Sequence, residues 1–316
     1  MRVTQLCACA LITLSVFLSG CQGADDRANQ QAGAQETQNR PADSAEQDPQ
    51  WAVIAESRLD HKASFAAFVD TEFGITGTAI NVFPYVYYST NGGQSWTRSE
   101  TATGALMGMD ITDVQSIWQC GFGNFNTSKD GAQTWQPFTS PLSEDCRLLT
   151  FVDDKIGWAA SVDKLAGTDD GGESWETISL PVTVRKIAAI SLRTATDGYI
   201  LDFDYTLYST SDGGDSWSAS MLEIEDSDLA LMDLTLPSAA VRFVDDQNGL
   251  IILNLAGGGK SDLCVLNTND GGQTWERESL PAGLGIVFLS HDARFLTVSE
   301  IGGTGAYTIL ERQLLE

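Results

Sequence analysis

Two carboxylates in one short segment have the type and spacing to do chemistry. Residues 201–205 read Leu-Asp-Phe-Asp-Tyr, and alternate residues of a strand point to the same side. Hydrolysis of a glycosidic bond uses two carboxyl groups about 5–10 Å apart, and Asp202 and Asp204 fit this with Asp163 nearby. A chain with 43 acidic residues forms such pairs readily. We therefore assign Asp202 and Asp204 to binding and predict no catalytic residue.

Other catalytic and metal-binding patterns are incomplete. Residues 254–261 approximate a phosphate-binding loop, but Asn254 stands where the first glycine belongs, and Leu-Cys-Val-Leu follows as a strand pattern instead of a helix. The sequence contains no Gly-x-Ser-x-Gly elbow. His61 and His291 are the only histidines, which argues against a metal site rich in imidazole. We predict no cofactor and no bound metal.

The N-terminus has the features of a secretion signal. An apolar run from Leu6 to Leu18 is too short to span a bilayer but suits a signal peptide. It ends Leu18-Ser-Gly-Cys21, which resembles the lipobox of bacterial lipoproteins. The resemblance implies lipidation of Cys21, and Gln22 favours the outer membrane with the protein facing the periplasm. The alternative is an ordinary cleaved signal in which Cys21 is incidental.

The domain organisation follows from composition. Residues 1–20 are the signal peptide, and residues 21–50 lack aromatic and β-branched apolar residues, which predicts a disordered tether. Residues 51–316 form the folded domain. Its three cysteines, Cys120, Cys146 and Cys264, allow at most one disulfide. Cys120 could pair with Cys146, or all three could be buried thiols.

The charge of the chain restricts its partners. With 18 basic and 43 acidic residues the formal charge is −25, which repels phosphate backbones and anionic lipid headgroups. Nucleic acid is therefore not an expected partner, and the membrane is contacted only through the lipid anchor. We expect a monomer that binds one or more envelope proteins, with a basic surface facing this acidic one.

Five copies of one eight-residue motif dominate the folded domain. Each copy has Asp or Asn at its third position, Gly at its fourth and Trp at its eighth, and the tryptophans are 39, 40, 42 and 58 residues apart. A period near 40 predicts the blades of a β-propeller. Within each copy the acid or amide accepts backbone N–H bonds in a turn, and the Trp covers the apolar side of the hairpin. These structural residues are Asn91 and Trp96, Asp130 and Trp135, Asp170 and Trp175, Asp212 and Trp217, and Asp270 and Trp275.

The motif resembles the Asp-box (BNR) repeats of sialidases and of photosystem II assembly-factor propellers. The resemblance implies a propeller in which the boxes are structural, and it leaves function open. Sialidases also use an arginine triad introduced by a Phe/Tyr-Arg-x-Pro segment, which this sequence lacks. Two boxes depart from the pattern, since Asn91 replaces Asp and Ala132 replaces the second Gly.

The strand pattern predicts an all-β fold with one propeller of six four-stranded blades, seven being the alternative. The last blade, within residues 283–316, has only three strand patterns. An orphan strand pattern at Trp51–Glu56 precedes the first blade. We predict that this N-terminal strand completes the last blade and closes the ring, leaving no free edge.

Candidate binding residues lie in the loops on the face opposite the boxes. Unusual loops or insertions occur at 81–85, 221–236, 254–262 and 301–306, and they contribute Phe83, Tyr85 and Asp228. Arg147 and Arg185 each precede an inner strand and are expected at the channel mouth. The resemblance implies that such arginines contact a partner chain, whereas the alternative is that they neutralise acids such as Asp145.

Taken together, these features favour a non-enzymatic, lipid-anchored propeller that acts as an interaction or assembly factor. The alternative is a carbohydrate-binding or glycoside-hydrolase-like protein of the Asp-box superfamily.

Overall fold

The structure, a computed structural model, describes residues 51–58, 65–77, 85–101, 103–121, 123–139, 142, 146–224, 230–231, 237–258, 260–300 and 305–312. Every regular element in these ranges is a β-strand. No helix that could span a membrane occurs among these residues. The predicted signal peptide and tether, with Cys21, lie outside the described residues, as do Phe83 and Asp228.

The strands form six antiparallel sheets, which are the blades of a propeller. The prediction of six blades is confirmed, and the alternative of seven is wrong. In chain order the strands are β1 (Trp51–Arg58); β2 (Phe65–Phe68), β3 (Phe73–Gly77), β4 (Tyr87–Thr90) and β5 (Thr97–Arg98) in blade 1; β6 (Gly108–Asp113), β7 (Ser116–Gly121), β8 (Asn124–Ser128) and β9 (Gln136–Phe138) in blade 2; β10 (Leu148–Phe151), β11 (Gly157–Ala160), β12 (Leu165–Thr168) and β13 (Glu176–Ile178) in blade 3; β14 (Ile187–Leu192), β15 (Gly198–Asp202), β16 (Thr206–Thr210) and β17 (Ser218–Met221) in blade 4; β18 (Ala230–Leu231), β19 (Ala239–Phe243), β20 (Gly249–Gly257), β21 (Lys260–Thr268) and β22 (Glu276–Ser279) in blade 5; and β23 (Gly285–Leu289), β24 (Phe295–Glu300) and β25 (Ala306–Arg312) in blade 6.

Blade 6 takes its outer strand from the N-terminus. β1 pairs antiparallel with β25, from Trp51 opposite Arg312 to Arg58 opposite Ala306, with a bulge between Val53 and Ala55. Trp51 is fully buried and packs in the apolar cluster shared by blades 5 and 6. The predicted closure by an N-terminal strand is confirmed, and it leaves β25 with a partner on both sides.

Blade 5 differs from the sequence-based expectation at one end. The region 254–262, expected as a loop, is largely the continuation of two nine-residue strands, whose pairing runs out to Gly257 opposite Lys260. The short strand β18 lies within the insertion between blades 4 and 5 and pairs with Leu255 and Ala256 of β20. The strand continuation at 254–262 was missed because Gly257 and Gly258 are typical loop residues, whereas here they lie at the tip of an extended hairpin.

The apolar core is divided among the blade junctions. Neighbouring blades share one cluster each around the ring, and blade 6 meets blade 1 through Ala66, Phe68, Tyr307 and Ile309. Aromatic stacking crosses several junctions: the rings of Trp118 and Phe151 are parallel, with centroids 3.9 Å apart. Side chains of the sheets therefore face adjacent blades, so the stability of each blade depends on its neighbours.

A recurring glycine at the start of the second strand of several blades allows this packing. A Cβ atom on Gly157 would collide with the ring of Phe151, the last residue of the strand before it. Gly74 and Gly249 face Phe68 and Phe243 in the same way. The repeated Phe…Gly pattern of the sequence thus arises because an aromatic ring lies over the glycine of the paired strand, where a larger residue would not fit.

We predict that the closure strand is required for a stable ring. A chain that begins at Leu59 exposes the edge of β25 and loses Trp51, whose truncation alone should cost about 3–5 kcal/mol of a total stability of about 5–15 kcal/mol. This chain should aggregate or unfold at a much lower temperature than a chain that begins at Trp51. Thermal unfolding and size-exclusion chromatography compare the two, and equal stability would contradict the observed closure.

Candidate functional site

The central channel is lined by the inner strand of every blade. β2, β6, β10, β14, β19 and β23 surround a cavity of about 60 Å³. Most residues that line it are small or apolar, and its charged lining residues in the described chain are Asp110, Arg147 and Arg242. The channel therefore contains a polar centre inside an otherwise apolar tube.

A buried ion pair crosses this channel. Arg242 Nη2 of blade 5 lies 3.6 Å from Asp110 Oδ1 of blade 2, which is the opposite blade of a six-membered ring. The two side chains are only 8% and 3% exposed. Removing one partner of such a buried pair is far more costly than replacing both, because the remaining charge stays buried and uncompensated.

Two further contacts complete a cross-channel network, which we define as Asp110, Phe151, Arg242 and His291. The backbone N–H of Phe151 in blade 3 donates to Asp110 Oδ2 at 2.6 Å. His291 of blade 6 reaches the carbonyl oxygen of Phe151 with its Nε2 atom at 3.0 Å. The network therefore joins two pairs of opposite blades.

The network lies toward the end of the channel that carries the Asp boxes. Phe151 is the last residue of β10, and the turn after it contacts the box of the same blade through the Gly171 N–H and the Lys155 carbonyl oxygen, 2.8 Å apart. Arg147 precedes the same strand and lines the cavity from the other end. The polar groups of the network thus lie toward the box end of the channel, whereas Arg147 lies toward the opposite end.

The predicted pair of carboxylates is separated in the structure. Asp202 is buried at the end of β15, where its Oδ1 accepts the backbone N–H groups of Asp204 at 3.0 Å and Thr206 at 2.8 Å. Its Oδ2 accepts the Tyr208 hydroxyl at 3.3 Å. Because the strand ends at Asp202, the alternation of side chains does not extend to Asp204, and Asp202 holds the turn.

The remaining predicted binding residues are dispersed. Asp204 is exposed and forms an ion pair with Arg185 across 3.6 Å. Arg147 lines the channel cavity, whereas Arg185 is not among the described residues that line it. Tyr85 packs under the guanidinium of Arg98, with 4.5 Å from Arg98 Cζ to the ring centroid. The structure therefore places Arg147 alone of these residues in the channel.

Sequence reasoning missed the cross-channel network. Asp110 and Arg242 occupy comparable positions, each between two apolar residues of an inner strand, in Met-Asp-Ile and Val-Arg-Phe. Once the six blade sequences are aligned, opposite charges at this position in two blades that face each other across the ring would have indicated the ion pair. His291 carried no comparable pattern.

The Asp boxes share one geometry. In the third box Asp170 Oδ1 accepts the Ser174 N–H and the Thr168 hydroxyl at 2.9 and 2.8 Å, and Oδ2 accepts the Ser174 hydroxyl at 2.6 Å. These bonds, led by that from the Ser174 hydroxyl, lower the pKa of Asp170 to about 2. Hydroxyl and backbone donors also lower the pKa values of Asp212 and Asp270 to about 2. In the first box Asn91 accepts the Ser95 N–H at 3.0 Å, so an amide can hold the same turn.

The cysteines of the described chain are buried thiols. Cys120 and Cys146 lie in the apolar cluster between blades 2 and 3, and the pairing that the sequence left open is not formed. Burial raises the pKa of Cys264 to about 11. These thiols pack as small apolar side chains.

A second concavity lies between blades 3 and 4. It has a volume of about 500 Å³ and is lined by Trp158 and Ile178 together with the acids Asp169, Glu176 and Asp215. It is formed mainly by the outer strand of blade 3 and by the boxes of the two blades, and it shares no residue with the described channel lining. None of the predicted binding residues contributes to it.

The family model described as photosynthesis system II assembly factor YCF48 matches residues 168–284, from the third box through blade 5. No curated protein matches the sequence significantly.

Solved structures share the fold. A structure of YCF48 described as bound to D1 peptide is 13% identical with a TM-score of 0.52, and the match covers 84% of this chain and 96% of that one. The WD40 propeller domain of Doa1 is 11% identical with a TM-score of 0.51, covering 83% and 97%. An inactive virginiamycin B lyase from Staphylococcus aureus is 8% identical with a TM-score of 0.52, covering 81% and 83%. At such low identity these structures establish only the fold.

The resemblance predicted from the boxes is confirmed: the chain carries a BNR-type propeller similar to the assembly factor YCF48.

We predict that the box carboxylates make the fold sensitive to acid. Their pKa of about 2 in the folded protein is below the ordinary 3.8, so their stabilising effect is complete above about pH 4 and is lost as the pH falls toward 2. Replacing Asp170, Asp212 and Asp270 by Asn should lower stability at pH 7 and flatten its change between pH 4 and 2. Denaturant unfolding at several pH values measures both effects.

The matched control changes three exposed acids at other positions of the third and fourth boxes, Asp169→Asn, Glu173→Gln and Asp215→Asn. This variant loses the same charge but keeps the box bonds, so it should retain the pH dependence of the parent protein. Similar profiles for the two triple variants would contradict the prediction.

Proposed function

We propose that this propeller is a non-enzymatic, lipid-anchored protein of the cell envelope that binds a segment of a partner protein and serves in the assembly of a complex. The match to the YCF48 family model supports an assembly or interaction role. The description of a YCF48 structure as bound to D1 peptide supports a protein partner by analogy. The lipid anchor and the outer-membrane location rest on the lipobox at Cys21.

The observation that carries the proposal is the extended hairpin of blade 5, which we define as residues 254–263. Within the described residues, the two middle strands of the other blades have four to seven residues, whereas β20 and β21 have nine. The extra pairs, such as Leu255 with Asp262, lie at the end of the blade opposite the Asp box. β18 widens this end of the sheet by pairing with Leu255 and Ala256. The family model covers both the hairpin and β18.

The hairpin presents backbone groups that a peptide segment can use. β22 pairs with Cys264 to Asn267 of β21, and this pairing stops before Asp262. The Leu280 N–H donates to the Leu263 carbonyl oxygen at 2.7 Å, and Arg277 Nη2 forms an ion pair with Asp262 Oδ2 at 2.6 Å. The outer edge of β21 therefore continues beyond its neighbour, a geometry that suits addition of an extended segment.

Charge sets the chemistry of the proposed partner. Residues 51–316 contain 37 acidic and 15 basic residues, so long-range attraction favours a basic partner surface. Such attraction raises the rate of association more than the final affinity, and it weakens at high salt.

The alternative of a carbohydrate-binding or hydrolytic protein receives less support from the geometry. Asp202 is committed to its own turn, and Asp163 accepts the Ser161 hydroxyl at 3.1 Å. Tyr85 is covered by Arg98. These contacts do not form the pair of carboxylates beside open aromatic faces that a glycosidase site needs.

We predict that shortening the hairpin weakens partner capture. Replacing residues 256–261 by Asn-Gly keeps the pair of Leu255 with Asp262 but removes the two outermost pairs of the hairpin, Ala256 with Ser261 and Gly257 with Lys260. Affinity capture from solubilised envelope should recover at least one protein with the parent chain, and at least about tenfold less of it with the shortened chain. Asp215→Asn on the box side serves as the control and should capture as much as the parent. Equal capture by the shortened chain, or selective binding on a glycan array, would contradict the proposal.

We predict that Cys21→Ser leaves a folded but unanchored protein. Without the thiol no diacylglycerol can be attached, and the acyl chains that would hold the protein on the membrane are lost. On membrane fractionation the variant should be found in the soluble fraction. Its melting temperature should equal that of the parent protein. Persistent membrane association of a folded variant would argue against the lipobox.

A further inference from the structure

We propose that the channel cavity beside Arg242 binds one small monovalent anion, of the size of chloride or formate. This site is independent of the proposed partner surface. It is built from the inner strands and not from the hairpin of blade 5.

The guanidinium of Arg242 has donors that its contacts in the described chain do not use. Nη2 faces Asp110 at 3.6 Å. Nε and Nη1 are buried, and the residues that the structure describes offer them no acceptor within hydrogen-bond reach. Only 8% of the side-chain surface of Arg242 is exposed. Buried donors of a charged group carry a large desolvation cost, so an acceptor at this position is strongly favoured.

The space next to the guanidinium limits the size of that acceptor. Arg242 lines the cavity of about 60 Å³. One water needs about 10–15 Å³ measured in this way, so a halide or formate fits, whereas sites for sugars and nucleotides are about 300–1,000 Å³. Apolar residues such as Val241, Val287 and Leu289 form much of the wall, which strengthens the attraction between a cation and an anion.

The charges of the wall favour an anion over a cation. Two of the three charged residues lining the described cavity are arginines, although acids outnumber bases more than twofold in the chain. Asp110 already accepts the Phe151 N–H at 2.6 Å and faces Arg242, so its oxygens point into existing contacts. A single negative charge at Nε or Nη1 completes the coordination of Arg242 without disturbing the cross-channel network.

Bromide is a suitable probe because it can be located by its anomalous scattering. The melting temperature of the full-length protein is titrated with sodium bromide and with sodium formate at constant ionic strength, using gluconate, which is too large for the cavity, as the balancing anion. A rise that grows with the logarithm of the anion concentration is expected, about 5 °C at a hundredfold excess over the dissociation constant. Crystals soaked in about 20 mM bromide should show an anomalous peak within about 3.5 Å of Arg242 Nε or Nη1.

Two variants keep the test decisive. Arg242→Gln alone leaves Asp110 buried without its partner and can fail to fold, so the main variant is the double change Asp110→Asn with Arg242→Gln, which is neutral. It should lose the bromide effect and the anomalous peak, whereas Arg185→Gln, an exposed arginine outside the channel, should keep both. Melting temperatures that are indifferent to the anion, or an equal bromide effect in the double variant, would overturn the proposal.

Discussion

The pairing of β1 with β25 is the interaction on which the whole molecule depends. A blade buries its faces only between two neighbours, so an open ring would expose one apolar face at each end and a free strand edge. The chain avoids this by building blade 6 from both of its termini. The pairing of β1 with β25 also holds Tyr307 and Ile309 of β25 against Phe68 of blade 1. Closure therefore completes a sheet and two inter-blade clusters at once, with Trp51 buried in one of them.

Closure also creates the environment of the channel. Once six inner strands face one axis, side chains far apart in sequence come within reach, as Asp110 and Arg242 do. At the equivalent position of blade 3, the Thr150 hydroxyl accepts the Leu192 N–H of blade 4 at 3.1 Å, just as Asp110 accepts that of Phe151. Such bonds satisfy the inner edge of one blade with a side chain of the preceding one. They give the backbone N–H groups on the unpaired inner edge of a blade acceptors that they would otherwise lack.

The fold could be predicted from the sequence because its determinants are local and repeated. Each box fixes its own turn through contacts within seven residues, and the position of Trp51 ahead of the first blade indicates the closure. The channel site was not predicted, since it depends on how far side chains reach across a ring. Asp202 was placed on a strand face because β15 was expected to continue through Asp204. In the structure the strand ends two residues earlier, at Asp202, and Tyr205, with a φ of 62°, turns the chain.

The N-terminal position of the closure strand has a mechanical consequence. A force applied through the chain ahead of Trp51 reaches the propeller first at the pair of Trp51 with Arg312. A pull along the strand axis loads the whole ladder in shear, whereas a pull across it would open the pairs one at a time, beginning with Trp51 and Arg312. The largest side chain of β1 is buried at the position that carries this load. Tension on the N-terminus would therefore have to expose the buried Trp51 side chain before it could separate β1 from β25 and open the ring.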